Sequence, residues 1–150
     1  MRFRHCRANQ SWHEVSTNRV SGWVKQSILP YSETFKDHLA NPRNAGELPD
    51  ANAVAEETNP VCGDRLRLGL RINHGRIEAA RFLAYGCPPT LVCGSALAEM
   101  IEGMSVEDAM KLTRKEIISA VGGLSAQKRH AAALAVETLQ AALEEMENRP

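Results

Sequence analysis

The sequence predicts an α+β fold: a small antiparallel three-stranded sheet, helices packed on one of its faces, and a long C-terminal helix. Three observations predict it. From Arg65 to Ile72, Leu66, Leu68, Leu70 and Ile72 alternate with Arg65, Arg67, Gly69 and Arg71, the period of a half-buried strand. Asn73-His74-Gly75 is a hairpin turn, so Arg76 to Tyr85 returns as the partner strand. Beyond Pro88 the pattern turns helical and ends in a stretch from about Ser125 to Glu147. There Ala131, Leu134, Ala135, Leu139, Ala142 and Met146 form one apolar stripe.

Residues 1–29 differ from the rest. Arg2, Arg4, Arg7, Arg19 and Lys25 face a single acid, Glu14, and no period emerges. An organelle transit peptide shares that Arg-rich, acid-poor composition, but it also needs an amphipathic helix, so a disordered extension is expected here. The domain is expected over residues 30–150. Ser32 caps a helix through Phe35, His38 and Leu39, which Asn41-Pro42-Arg43-Asn44-Ala45-Gly46 stops. Ala51 to Thr58 reads as a short strand. Pro88-Pro89 suits a helix start, and that helix runs to about Glu102 and Gly103. Ser105 opens a short helix. Thr113, with Glu116 three residues on, opens another that runs to Ala120, and Gly122-Gly123 breaks the chain before the last one.

The 150 residues suit one domain with a real core. Lys+Arg and Asp+Glu balance at 18 each, which argues against nucleic acid as a partner, because phosphate binding wants a basic excess. No apolar run is long enough to span a bilayer, so no membrane role is expected. Four cysteines without an apolar secretory leader point to a reducing, cytoplasmic setting in which thiols stay free for metal or sulfur.

Chemistry concentrates in two segments, Val61-Cys62-Gly63-Asp64 and Tyr85-Gly86-Cys87-Pro88-Pro89. Each sets a cysteine beside a glycine. Cys62 lies just before one hairpin strand and Cys87 just after the other, and in an antiparallel pair those ends are adjacent. Cys87 also precedes a helix N-terminus, whose partial positive charge favours a thiolate. Asp64 adds a hard oxygen donor and His130, near the start of the last helix, a nitrogen. Together the four residues can make a four-ligand metal site. An Asp after Gly can equally serve turn backbone, and a histidine near a helix start is often a capping or solvent residue. Cys93 lies on a helical stripe with Ala96, Leu97 and Met100, the pattern of a core cysteine. His13, His38 and His74 have no partner spacing and are assigned no role.

Tyr31-Ser32-Glu33, Asp37-His38, Asn41-Pro42-Arg43-Asn44-Ala45-Gly46, Asn59-Pro60-Val61-Cys62-Gly63-Asp64, Ala80-Arg81-Phe82, Tyr85-Gly86-Cys87, Glu102-Gly103-Met104-Ser105-Val106-Glu107-Asp108-Ala109 and Lys128-Arg129-His130 follow one another in this order. In that order they resemble the U-type iron–sulfur cluster assembly scaffolds, the NifU N-terminal or IscU-like proteins, from Tyr31 to about Leu143. The resemblance implies a scaffold that receives sulfur from a cysteine desulfurase, assembles a labile [2Fe–2S] cluster from iron, often binds zinc instead, and passes the cluster to apo iron–sulfur proteins. It implies Cys62, Asp64, Cys87 and His130 as ligands, and Cys62 or Cys87 as sulfur acceptor. Two departures stand out. Ala131 occupies the place of the family's usual third cysteine, which leaves Cys93 as the candidate replacement thiol. Leu124-Ser125-Ala126-Gln127-Lys128 lacks the prolines that a specialised heat-shock chaperone reads, so that partner is not implied.

The first expectation is therefore a binding and transfer protein rather than a turnover enzyme. The alternatives are a zinc-dependent sulfur acceptor with sulfurtransferase-like activity and a degenerate module that keeps the fold and binds a partner without metal.

Overall fold

The leucine alternation becomes strand β2 (Arg65–Asn73), which turns back into β3 (Arg76–Tyr85). The computed structural model describes residues 31–148, so the expected N-terminal extension lies outside the described residues. His74 and Gly75 both take left-handed φ values, 52° and 73°, as a tight turn that follows the strand twist requires. The register pairs Leu66 with Ala84, Leu68 with Phe82 and Leu70 with Ala80, so each buried leucine faces an apolar partner. β1 (Ala53–Thr58) pairs antiparallel with β2 on its other side, giving the order β1-β2-β3. It starts two residues later than Ala51 because Asn52 serves as a clasp. The Asn52 side chain donates to the Ile72 carbonyl at 2.7 Å and accepts from the Ile72 N–H at 2.9 Å.

The helices are α1 (Glu33–Ala40), α2 (Pro88–Ile101), α3 (Val106–Met110), α4 (Arg114–Ala120) and α5 (Arg129–Glu147). Ser32 caps α1 by accepting from the Phe35 N–H, and its hydroxyl donates to the Val121 carbonyl at 2.6 Å, tying the first helix to the end of α4. Ser105 accepts from the Asp108 N–H at the start of α3. Thr113 and Glu116 form the expected capping box. The last helix departs from expectation at its start. Ser125 opens a 3₁₀ turn, Ala126–Lys128, and α-helix proper begins at Arg129. α5 lies along β1 and β2, while α2 lies on β3. Leu66, Leu68, Leu70, Phe82, Leu97, Ile101 and Leu139 are buried between the layers. Gly94 allows the close approach of α2, since a Cβ there would stand 2.7 Å from the Phe82 ring.

The segment after α1, expected only as a helix stop, does more. The Phe82 N–H donates to the Asn44 carbonyl at 3.1 Å and the Gly46 N–H to the Phe82 carbonyl at 2.9 Å, so the segment pairs with the free edge of β3. Leu48 and Ala51 then cross the outer face of the sheet over Gly69, 3.6 and 3.5 Å from where a Cβ would be. His38, assigned no role from sequence, helps fix this segment. It is buried, and its Nδ1 lies 2.7 Å from the Oγ of fully buried Ser95, which also accepts the Arg43 N–H at 2.7 Å. Ser95 thus joins the His38 ring to the Arg43 backbone.

Ser95→Ala leaves His38 Nδ1 and the Arg43 N–H unpaired in the interior, at an expected cost of about 1–3 kcal/mol. Urea unfolding measures it, and a change under about 0.5 kcal/mol would show that the bonds are not needed. Burial, with Arg43 nearby, lowers the His38 pKa from 6.5. The unfolded chain then takes up this proton first. The His38 contribution is present above about pH 6.5 and is lost as pH falls below it.

Candidate metal centre at the end of the hairpin

Asn59 organises the loop that carries Cys62. Its side-chain oxygen accepts from the N–H groups of Val61 at 2.8 Å and Cys62 at 3.4 Å. Its backbone closes the loop, donating to the Asp64 carbonyl and accepting from the Gly63 N–H, each at 2.8 Å. Gly63 makes the turn with φ 79°. Cys62 is left exposed and Asp64 is turned inward and buried.

The pairing of Arg65 with Tyr85 places the Cys87 loop beside Asp64. The Cys87 thiol donates to Asp64 Oδ2 at 2.8 Å, and the Thr90 hydroxyl donates to the same oxygen, also at 2.8 Å. Gly86, with φ 136°, gives the carboxylate room, because a Cβ there would stand 2.1 Å from Asp64 Oδ1. Burial raises the pKa of Asp64, but the side chains of Cys87, Thr90 and Cys62 and the Cys87 N–H outweigh it, and the carboxyl is held below its ordinary range.

His130 reaches the same point from the start of α5. Its Nδ1 lies 2.9 Å from the Gln127 carbonyl, so Nδ1 carries the hydrogen and Nε2 the lone pair. Nε2 is shielded from solvent and has no hydrogen-bond partner. One donor atom each from Cys62, Asp64 and His130 lie within 4.8 Å of one another. A ring fixed through Nδ1 by a carbonyl, with Nε2 free, is the arrangement of a metal-ligating histidine. The donor set therefore fits a soft or borderline ion.

Of the residues singled out from sequence, Cys62, Asp64 and His130 converge. Cys87 joins them through Asp64 and is outside the close cluster of three. Its thiol differs from the expected thiolate: burial first, then the Asp64 carboxylate, pushes its pKa up, and the Thr90 hydroxyl and N–H only partly oppose this. The helix start is weak because Pro88 and Pro89 have no N–H to offer. Cys93 is fully buried among core residues, and burial, with Cys87 nearby, pushes its thiol up to about 12. Ala131 is buried in the same core, 1% exposed. Cys93→Ser is expected to lower stability by about 1–3 kcal/mol by burying a hydroxyl and to leave metal binding intact. Metal titration beside a melting curve checks this, and a lost site in a stable protein would make Cys93 a ligand. Thr90 was missed in the sequence, where a threonine in the first turn of a helix reads only as a helix-start residue.

The fold and this donor set define a class: small α+β proteins that gather thiol, carboxylate and imidazole at one end of a sheet. The chain belongs to the NifU-like N-terminal domain family, whose model matches residues 30–150. It is 40% identical over 117 residues to the iron–sulfur cluster assembly scaffold protein IscU of Aquifex aeolicus, covering 77% of this chain and 74% of that one. It is 47% identical over 113 residues to the nitrogen fixation protein NifU of Cereibacter sphaeroides, covering 75% of this chain and 46% of that one. Among solved structures, its fold matches a protein described as an iron–sulfur cluster assembly scaffold for the SUF system, from Fervidobacterium islandicum AW-1. The TM-score is 0.63 at 22% identity, over 78% of this chain and 98% of that one. No helix among the described residues is long and apolar enough to cross a membrane.

Proposed function

We propose that this protein is an iron–sulfur cluster assembly scaffold, which holds iron and a [2Fe–2S] cluster as cargo and passes it to apo-proteins. The observation that carries the reading is the free, shielded Nε2 of His130 facing Cys62 and Asp64. The relatives named as assembly scaffolds support it. In this reading Cys62 and Cys87 are the thiolate ligands, and Asp64 and His130 complete the set. Exposed Cys62 is open to a partner and takes sulfur from a cysteine desulfurase, with Cys87 as the second acceptor. Two thiolates and two harder donors hold a cluster less firmly than four thiolates, which suits cargo meant for transfer.

One observation favours a second reading. With Ala131 packed in the core, Cys62 and Cys87 are the two thiols at the site among the described residues, and two sulfurs, one nitrogen and one oxygen also suit a tetrahedral zinc ion. Zinc would then hold the site ready for persulfide sulfur. Anaerobic purification and reconstitution with iron and sulfide separate the readings. The expected product is brown and contains iron and acid-labile sulfide. A colourless protein with stoichiometric zinc that resists reconstitution gives the zinc reading, and a folded protein that takes neither defeats both.

A further inference from the structure

We propose that Thr90 is a positioning residue of the metal centre: its hydroxyl holds Oδ2 of the Asp64 carboxylate and so fixes the aim of that carboxylate towards the ion. The inference rests on the reading of Asp64 as a ligand. Thr90 is 1% exposed, so its hydroxyl must find a protein partner. It has a single hydrogen, which goes to Asp64 Oδ2 at 2.8 Å, and the Cys87 thiol lies 3.5 Å from the same hydroxyl.

The helix start explains why a side chain is needed here. The opening turn of a helix ordinarily presents backbone N–H groups to an acceptor in front of it. In α2 the first two positions are Pro88 and Pro89, which have none. The Thr90 N–H, next in line, points at the Cys87 carbonyl at 3.0 Å. The hydroxyl of Thr90 thus supplies the donor that two prolines removed.

Its position also decides which carboxylate oxygen is held. The Thr90 hydroxyl and the Cys87 thiol both donate to Oδ2, while Oδ1 lies over Gly86. When Cys87 gives up its hydrogen to bind cargo, its donation to Oδ2 ends, while the Thr90 hydroxyl keeps its hydrogen and still donates there. A carboxylate held by a neighbour keeps its aim, and loss of such a partner typically weakens metal affinity about 10–100-fold.

The test uses Co²⁺ as the probe ion, titrated anaerobically into the full-length protein, with visible absorption reporting ligand geometry. Thr90→Val keeps the shape and removes the donor, and Thr90→Ser keeps the donor. The expected result is a loss in Co²⁺ affinity of about 10–100-fold for the valine variant, with an altered spectrum. The serine variant should stay within about threefold of wild type, and melting of the metal-free proteins controls for folding. Wild-type affinity and spectrum in Thr90→Val would overturn the inference, as would equal losses in both variants. A wild-type protein that binds no Co²⁺ would instead defeat the assignment of the metal centre itself.

Discussion

Cys62→Ser and Cys87→Ser are each expected to lose most of the bound metal, while the protein stays folded. Cys62 is exposed on a loop whose shape is set by Asn59 and Gly63, so losing its sulfur breaks no packing, and stability should move by less than about 0.5 kcal/mol. A serine at position 87 keeps a hydroxyl that can donate to Asp64 Oδ2 as the thiol does. What both variants lose is a soft donor. A neutral hydroxyl is a poor ligand for iron or zinc, so affinity should fall by more than the 10–100-fold typical of outer-shell changes. Metal content after anaerobic loading, measured beside a melting curve, checks this. Full metal content in both variants would place the centre elsewhere.

Gly86→Ala is expected to damage fold and site together. At φ 136° a side chain is strained, at about 1–3 kcal/mol. The new Cβ would also stand 2.1 Å from Oδ1 and 2.5 Å from Cγ of Asp64, so the carboxylate must leave its place. Asp64 then loses its bonds to Cys87 and Thr90, and metal binding goes with them. Gly63→Ala is the matched control, because its φ of 79° imposes backbone strain but nothing lies within 4 Å of the added Cβ. Urea unfolding should show destabilisation in both, whereas metal titration should show loss of the site in Gly86→Ala alone. Equal metal binding in the two would mean that Asp64 tolerates displacement.

The hairpin was legible because its signals are local. Alternation from Leu66 to Ile72 sets which face is buried, and the His74-Gly75 turn sets the register, so the approach of the Cys62 and Cys87 loops followed from sequence. The capping residues Ser32, Ser105 and Thr113 were legible for the same reason. What sequence did not reveal depends on partners distant in the chain. Thr90 has meaning only once Asp64 stands in front of it, and Ser95 only once His38 and Arg43 meet over it. For the Cys87 thiol, sequence offered the helix position alone, and the burial and neighbouring carboxylate that push its pKa up depend on the fold. Cys93 was readable as core from its stripe, yet Ala131 could be recognised as a missing thiol only through the resemblance.

The pairing of Asn44 and Gly46 with Phe82 bears on how crowded copies of the protein behave. A sheet invites strand addition along any open edge, and a row of unpaired N–H and carbonyl groups there is a route to aggregation. On the β3 side the chain occupies that edge with its own segment, anchored beneath by Ser95 and His38. On the β1 side the strand is 6 residues long, carries Glu56 and Glu57, and runs into Asn59-Pro60, so length, charge and proline all discourage a newcomer. With strand addition discouraged along both edges, the exposed Cys62 at the end of the sheet is left as a point of approach that needs no backbone pairing.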